Sequence, residues 1–199
     1  FPYTTLFRSN FANGMSFGYV PRSDKPGSCR GSIRSVNIPL IPRSEWSARI
    51  KQKEAEKSQL SDLILNHNPY IPSLDQNGKG YCWAHSTVQA IMFLRVAQGM
   101  PYVPLSAYAV ACKIKNFRDE GGWGALSMDF AMQKGVPSQA KWPQQSMSRS
   151  NDNADTWANA SQYKVSEGWI DIADAVYDRN LTFEQVATLL LSNIPVVGD

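Results

Sequence analysis

The alternation of apolar and polar positions separates a charged stretch, an apolar centre and a polar run that precedes a last apolar segment. In the centre, from Trp83 to Gln98, Val88, Ile91, Phe93, Leu94 and Val96 recur at near-helical spacing. That period predicts a buried helix, and Gly99 with Pro101 is its stop signal. Residues 45–60 are strongly charged (Lys51, Lys53, Glu54, Glu56, Lys57) and favour helix. Ser61-Asp62 predicts a cap for a second short helix through Leu65. Pro104-Leu105-Ser106 starts a further helix with Ser106 as its cap. Trp123-Gly124-Ala125-Leu126 opens a helical run to Lys134, ended by Gly135 with Pro137 beyond. Residues 144–162 are rich in Ser, Asn, Gln and Asp and read as a crossing loop. Lys164 to Ile172 has strand character around Trp169 and Ile170. Thr182-Phe183-Glu184-Gln185 is a capping box before the apolar run to Leu191, and Ile194-Pro195-Val196-Val197 reads as the start of a buried strand.

The chemistry gathers at the head of the central helix. A Gly-rich turn with Asn77, Gly78 and Gly80 runs into Cys82, which falls in the first helical turn. Unpaired amides at a helix N-terminus and the helix dipole favour an anion there, a thiolate included.

The stretch 75–99 resembles the nucleophile segment of the papain-like (C1 family) cysteine peptidases. Their pattern is a Gln, a Gly-rich turn, then Cys-Trp at the head of the central helix. Gln76 lies six residues before Cys82, and Gly80, Trp83, Ala84 and Ser86 also fall in place. Lys79-Gly80-Tyr81-Cys82-Trp83 keeps the Gly, the Cys and the aromatic of the C-G-[SA]-C-[WY] signature. It departs at Lys79, where most members have a disulfide-bonded Cys, at Tyr81, where they have a small residue, and at His85, where Phe is common. A second match follows in Leu105-Ser106, the pair Gly121-Gly122, the aromatic Trp123 and a helix ending in Gly135. Ile38-Pro39, then an acidic residue and Trp46, resembles the start of the mature domain, so the likeness covers residues 38–199. It implies an α+β papain-like fold, with the helical first lobe complete and the β-rich second lobe only begun.

The resemblance also implies roles. Cys82 would be the nucleophile, with its own amide and the Gln76 side chain forming the oxyanion hole. Gly80 and Trp83 would line the site. Gly122 would pair with the substrate main chain, since no Cβ intrudes, and Trp123 would wall the S2 pocket. A helix cap followed by a core Trp is the competing reading of that segment. The partner His and Asn of this family lie about 130–150 residues after the nucleophile, past Asp199. The sequence therefore reads as a fragment that is inactive by itself. His85 sits one turn into the helix and reads as a core residue or a support behind the site, and His67 reads as structural. The expected activity is a cysteine-type endopeptidase acting on peptide or protein substrates. A catalytically inactive papain-like binding or structural module, and a Cys-His peptidoglycan amidase, remain open.

Composition adds limits. The net charge is +3, from 20 basic and 17 acidic residues, too balanced for a nucleic-acid partner or an anionic membrane surface. No run reaches transmembrane length. No P-loop, dinucleotide fingerprint or metal-ligand cluster is present, so neither cofactor nor metal is implied. The three cysteines cannot all pair; Cys29 and Cys112 read as ordinary thiols. That fits a reducing compartment, cytoplasmic or virion-associated, or a bacterial or viral source. Residues 1–9, FPYTTLFRS, match one reading frame of a common sequencing adapter and are set aside. Residues 10–37 read as an irregular arm or linker.

Overall fold

The computed structural model describes residues 39–65, 71–165 and 183–197. The adapter-like segment, the arm, Cys29, His67, the cap at Thr182 and the strand around Trp169 and Ile170 lie outside these residues. In chain order the helices are α1 (Arg43–Glu56), α2 (Leu60–Leu65), α3 (Cys82–Ala97), α4 (Ala107–Ile114), α5 (Gly124–Lys134), α6 (Ala154–Ala160) and α7 (Phe183–Leu191). No strand forms among the described residues. Leu105 and Ser138 make an isolated antiparallel bridge, flanked by Ser106 N–H to Pro137 O at 2.9 Å and Gln139 N–H to Pro104 O at 2.7 Å.

The central helix α3 packs against α2, α4 and α5. Its buried residues are Trp83, Ala84, His85, Thr87, Val88, Ile91 and Met92. Phe93, Leu94 and Val96 are only half-buried. The period identified the helix, but its N-terminal half is what enters the core. The adjoining α4 is fully buried from Ala107 to Cys112. Its alanines let neighbouring backbones approach, and Ser106 caps it, its Oγ accepting from Ala109 N–H at 3.3 Å. A buried polar knot joins α3 to α5. Ser127 Oγ lies 2.7 Å from Thr87 Oγ1, 3.1 Å from Trp83 O and 2.7 Å from Gly124 O. Buried hydroxyls are thereby satisfied without water.

Three local expectations are corrected. α2 starts at Leu60, so Asp62 is inside the helix; its Oδ2 accepts from Gln59 N–H at 3.0 Å and satisfies that end from within the first turn. The loop expected over 144–162 contains α6. Asn153 caps α6 through Thr156 N–H at 3.0 Å, and Trp157 packs on Trp142 and Phe130. Two aromatic contacts stabilise what a polar composition concealed. The strand start at Pro195-Val196-Val197 is not formed among the described residues, where 194–197 are irregular; a strand needs a partner edge to satisfy its backbone.

The expected stop at Gly135 holds for two reasons. Its φ is +82°, and a Cβ there would come within 1.9 Å of Ala160 O. The charged helix α1 has no buried residue. It docks on α7 through Trp46 against Phe183 and an Arg43–Glu184 ion pair, reinforced by Ile41 N–H, just before α1, to Thr188 Oγ1 at 3.0 Å and by Lys53 Nζ to Oδ1 of Asn193, just after α7, at 2.7 Å. No helix among the described residues is long and apolar enough to cross a membrane.

Candidate active site

Cys82 is the first residue of α3 and is a free, partly exposed thiol. Tyr81 occupies the cap position and offers no side-chain cap. Its carbonyl accepts from Ala84 N–H and His85 N–H, both at 3.0 Å. The Cys82 and Trp83 amides find no acceptor among the described residues, so two donors stay open where the thiol sits.

The preceding turn is tightly bound. Asn77 (φ +50°) and Gly78 (φ +67°) carry the reversal, and Asp75 Oδ1 accepts from Asn77 N–H at 2.8 Å. The Gln76 carbonyl accepts from Tyr108 O–H at 2.8 Å and from Lys79 N–H at 3.1 Å. Its side chain makes no hydrogen bond among the described residues. Gln76 is thus placed by its backbone while its amide group remains free to donate. Gly80 N–H donates to Asp119 Oδ1 at 2.7 Å, and Gly80 O accepts from Trp83 Nε1–H at 3.0 Å. Gly80 is itself buried, which places it in the wall of the turn.

Gly122 lies against the face of Trp83. A Cβ on Gly122 would stand 2.7 Å from two indole carbons. The Gly here is demanded by Trp83 behind it, a cause different from the approaching substrate that the resemblance implies. Trp123 caps α5 with extended backbone and is half-exposed. Lys115 Nζ lies 5.6 Å from the Trp83 ring and 6.0 Å from the Trp123 ring, within cation–π reach of both.

His85 is 6% exposed. Its Nδ1 lies 2.9 Å from Tyr81 O and its Nε2 2.8 Å from Gln144 Nε2. A carbonyl can only accept, so Nδ1 carries the proton and Nε2 accepts from the Gln144 amide. Burial lowers its pKa, against smaller opposing effects of the Tyr81 carbonyl and Asp75. Both nitrogens are engaged behind the turn, and neither serves Cys82. Burial likewise pushes the Cys112 thiol up to about 11. Tyr108 is pushed up to about 12 for the same reason.

Tyr81, Tyr108, Asp119 and Gln144 are the residues that sequence reasoning did not place. Tyr81 and Tyr108 meet edge to face at 5.3 Å between ring centres, and Tyr81 O–H donates to Arg118 O at 2.9 Å. The only signal was Tyr81 standing where a small residue was expected. Among the described residues no three His, Cys, Asp or Glu side chains gather into a metal cage.

A family model described as papain family cysteine protease matches residues 62–196, well over half of the chain. The chain belongs to the papain family of cysteine proteases. Among solved structures it is similar to xylellain, a cysteine protease from Xylella fastidiosa. The TM-score is 0.53 at 16% sequence identity, covering 77% of this chain and 57% of xylellain. That likeness shows the papain-like fold, whose helical part the described residues resemble. The chain spans little more than half of the length of that relative. A search of curated protein sequences gave no match.

Proposed function

We propose that the chain carries the nucleophile half of a cysteine peptidase, with Cys82 attacking a peptide carbonyl. The observation that carries this reading is the open end of α3. A partly exposed thiol there shares its position with two unpaired amides, and Gln76 presents a free carboxamide from a turn whose backbone is pinned. Attack of a Cys82 thiolate turns the carbonyl oxygen into an oxyanion. The Cys82 amide and the Gln76 amide would donate to it, in a frame that needs no rearrangement as charge develops. Gly80, Trp83 and Gly122 would form the wall along which substrate backbone lies, with Trp123 beside the S2 subsite.

Acylation also needs an imidazole to take the thiol proton and return it to the leaving amine. His85 is committed to Tyr81 and Gln144 and does not fill that role. We assign it to a His outside the described residues, in a second, β-rich lobe, and peptide hydrolysis to a two-lobed protein that includes it.

Competitive alkylation tests the nucleophile. With limiting iodoacetamide, Cys82 is expected to be carbamidomethylated well before Cys112, as judged by peptide mass mapping. Equal labelling of the two in the folded chain would remove Cys82 from the role. In the two-lobed protein, Cys82→Ser should abolish peptide hydrolysis. Retained hydrolysis would favour another nucleophile, and an inactive wild type would favour a binding module.

A further inference from the structure

We propose that Asp119 is a positioning residue for Cys82, acting through the Gly80 amide; this rests on the nucleophile reading above. Three successive residues before Cys82 are tied to two residues far along the chain. Lys79 Nζ pairs with Asp119 Oδ2 at 3.4 Å. Gly80 N–H donates to Asp119 Oδ1 at 2.7 Å, across 39 residues. Tyr81 O–H donates to Arg118 O at 2.9 Å. Gly80 O is held as well, by Trp83 Nε1–H at 3.0 Å. The two peptide groups that flank Gly80 are therefore each anchored, and the chain has little freedom before it enters α3 at Cys82.

Asp119 also stands two residues before Gly121-Gly122, whose second glycine packs on Trp83. One carboxylate thus joins the nucleophile turn to the segment that leads into Gly122. Its two oxygens divide the work. The Lys79 pair is partly exposed and screened by solvent, so it adds little. The short hydrogen bond from a backbone amide to a carboxylate is charge-assisted and directional, and it orients the Lys79–Gly80 peptide. Lys79 replaces a Cys that is disulfide-bonded in most papain-like enzymes, and here the fastening at this place is ionic and hydrogen-bonded. It needs no oxidising compartment.

The negative charge of Asp119 itself disfavours a thiolate nearby, so removing the residue has two opposed effects. Paired variants separate them. Asp119→Asn and Asp119→Ala are both neutral, but only Asn keeps an acceptor for Gly80. Second-order rates of Cys82 alkylation by iodoacetamide are measured across pH in the 199-residue chain, with labelling of buried Cys112 reporting loss of fold. Asp119→Ala is expected to alkylate Cys82 about five-fold more slowly than Asp119→Asn while Cys112 stays protected, because the helix-end amides no longer converge on the sulfur. Equal rates in the two overturn the proposal. Should Asp119→Ala open Cys112, Asp119→Glu decides. It keeps the charge and moves the acceptor by one methylene, so a rate below wild type upholds the proposal and a rate equal to wild type overturns it. A wild-type chain in which Cys82 is no faster than Cys112 instead removes the nucleophile reading on which the proposal rests.

Discussion

Gly122 and Trp83 are in such close contact that a single methyl group on Gly122 would stand 2.7 Å from the indole ring. Trp83 has nowhere simple to go, because its Nε1–H is bonded to Gly80 O at 3.0 Å and its side chain is buried. Gly122→Ala should therefore destabilise the chain by about 1–3 kcal/mol, the usual cost of overpacking a rigid site. Urea unfolding followed by Trp fluorescence measures it. A midpoint equal to wild type would mean that the two backbones separate freely.

Gln76→Ala separates stability from chemistry. The Gln76 side chain bonds to nothing among the described residues, while its carbonyl holds Tyr108 O–H. The substitution should leave the unfolding midpoint unchanged. In the two-lobed protein the turnover number should fall about 10²–10³-fold, as for loss of one oxyanion donor, with a smaller change in KM. Wild-type turnover in the variant would reduce Gln76 to a turn residue.

Trp123 is half-exposed beside Lys115. As a wall of the S2 subsite it should favour apolar side chains at the second residue on the acyl side of the cut, by about 1–3 kcal/mol. Peptide-library profiling of wild type and Trp123→Ala reads this directly. Identical profiles would confine Trp123 to its place at the start of α5.

His85 makes stability depend on pH. Burial lowers its pKa in the folded state below the ordinary 6.5. On acidification the unfolded chain takes up that proton first. Stability is therefore full above about pH 6.5 and falls as the pH drops from there towards the folded pKa, by up to about 1.4 kcal/mol for each step of one in pH. The urea midpoint of wild type should drop from about pH 7.5 to about pH 5.5 more steeply than that of His85→Gln. Parallel curves would mean that His85 charges as easily folded as unfolded.

The nucleophile segment was legible because its signals are local. A helix period from Val88 onward, a stop at Gly99, a cap at Ser106 and a positive-φ glycine at Gly135 each act within a turn or two of chain, and each recurs in the structure. Cys82 at the first residue of α3 follows from the same short-range rules. The partner of α1 does not. Its exterior is charged along its length, and nothing in residues 43–56 indicates that Trp46 and Lys53 meet Phe183 and Asn193. α6 was hidden by a polar composition because its stabilising contacts, Trp157 on Trp142 and Phe130, are with other elements.

The sequence by itself determined the helix carrying Cys82, the open donors at its end and the Gln in the turn before it, since backbone geometry and residue spacing decide those within one segment. Tertiary structure alone decided why Gly122 is a glycine, which carboxylate holds Gly80, and that His85 faces Tyr81 and Gln144 instead of the thiol. Each of these depends on two stretches of chain meeting at contact distance, most of them dozens of residues apart. Short-range propensity carries no information about such meetings; packing of α3, α4 and α5 into one core creates them.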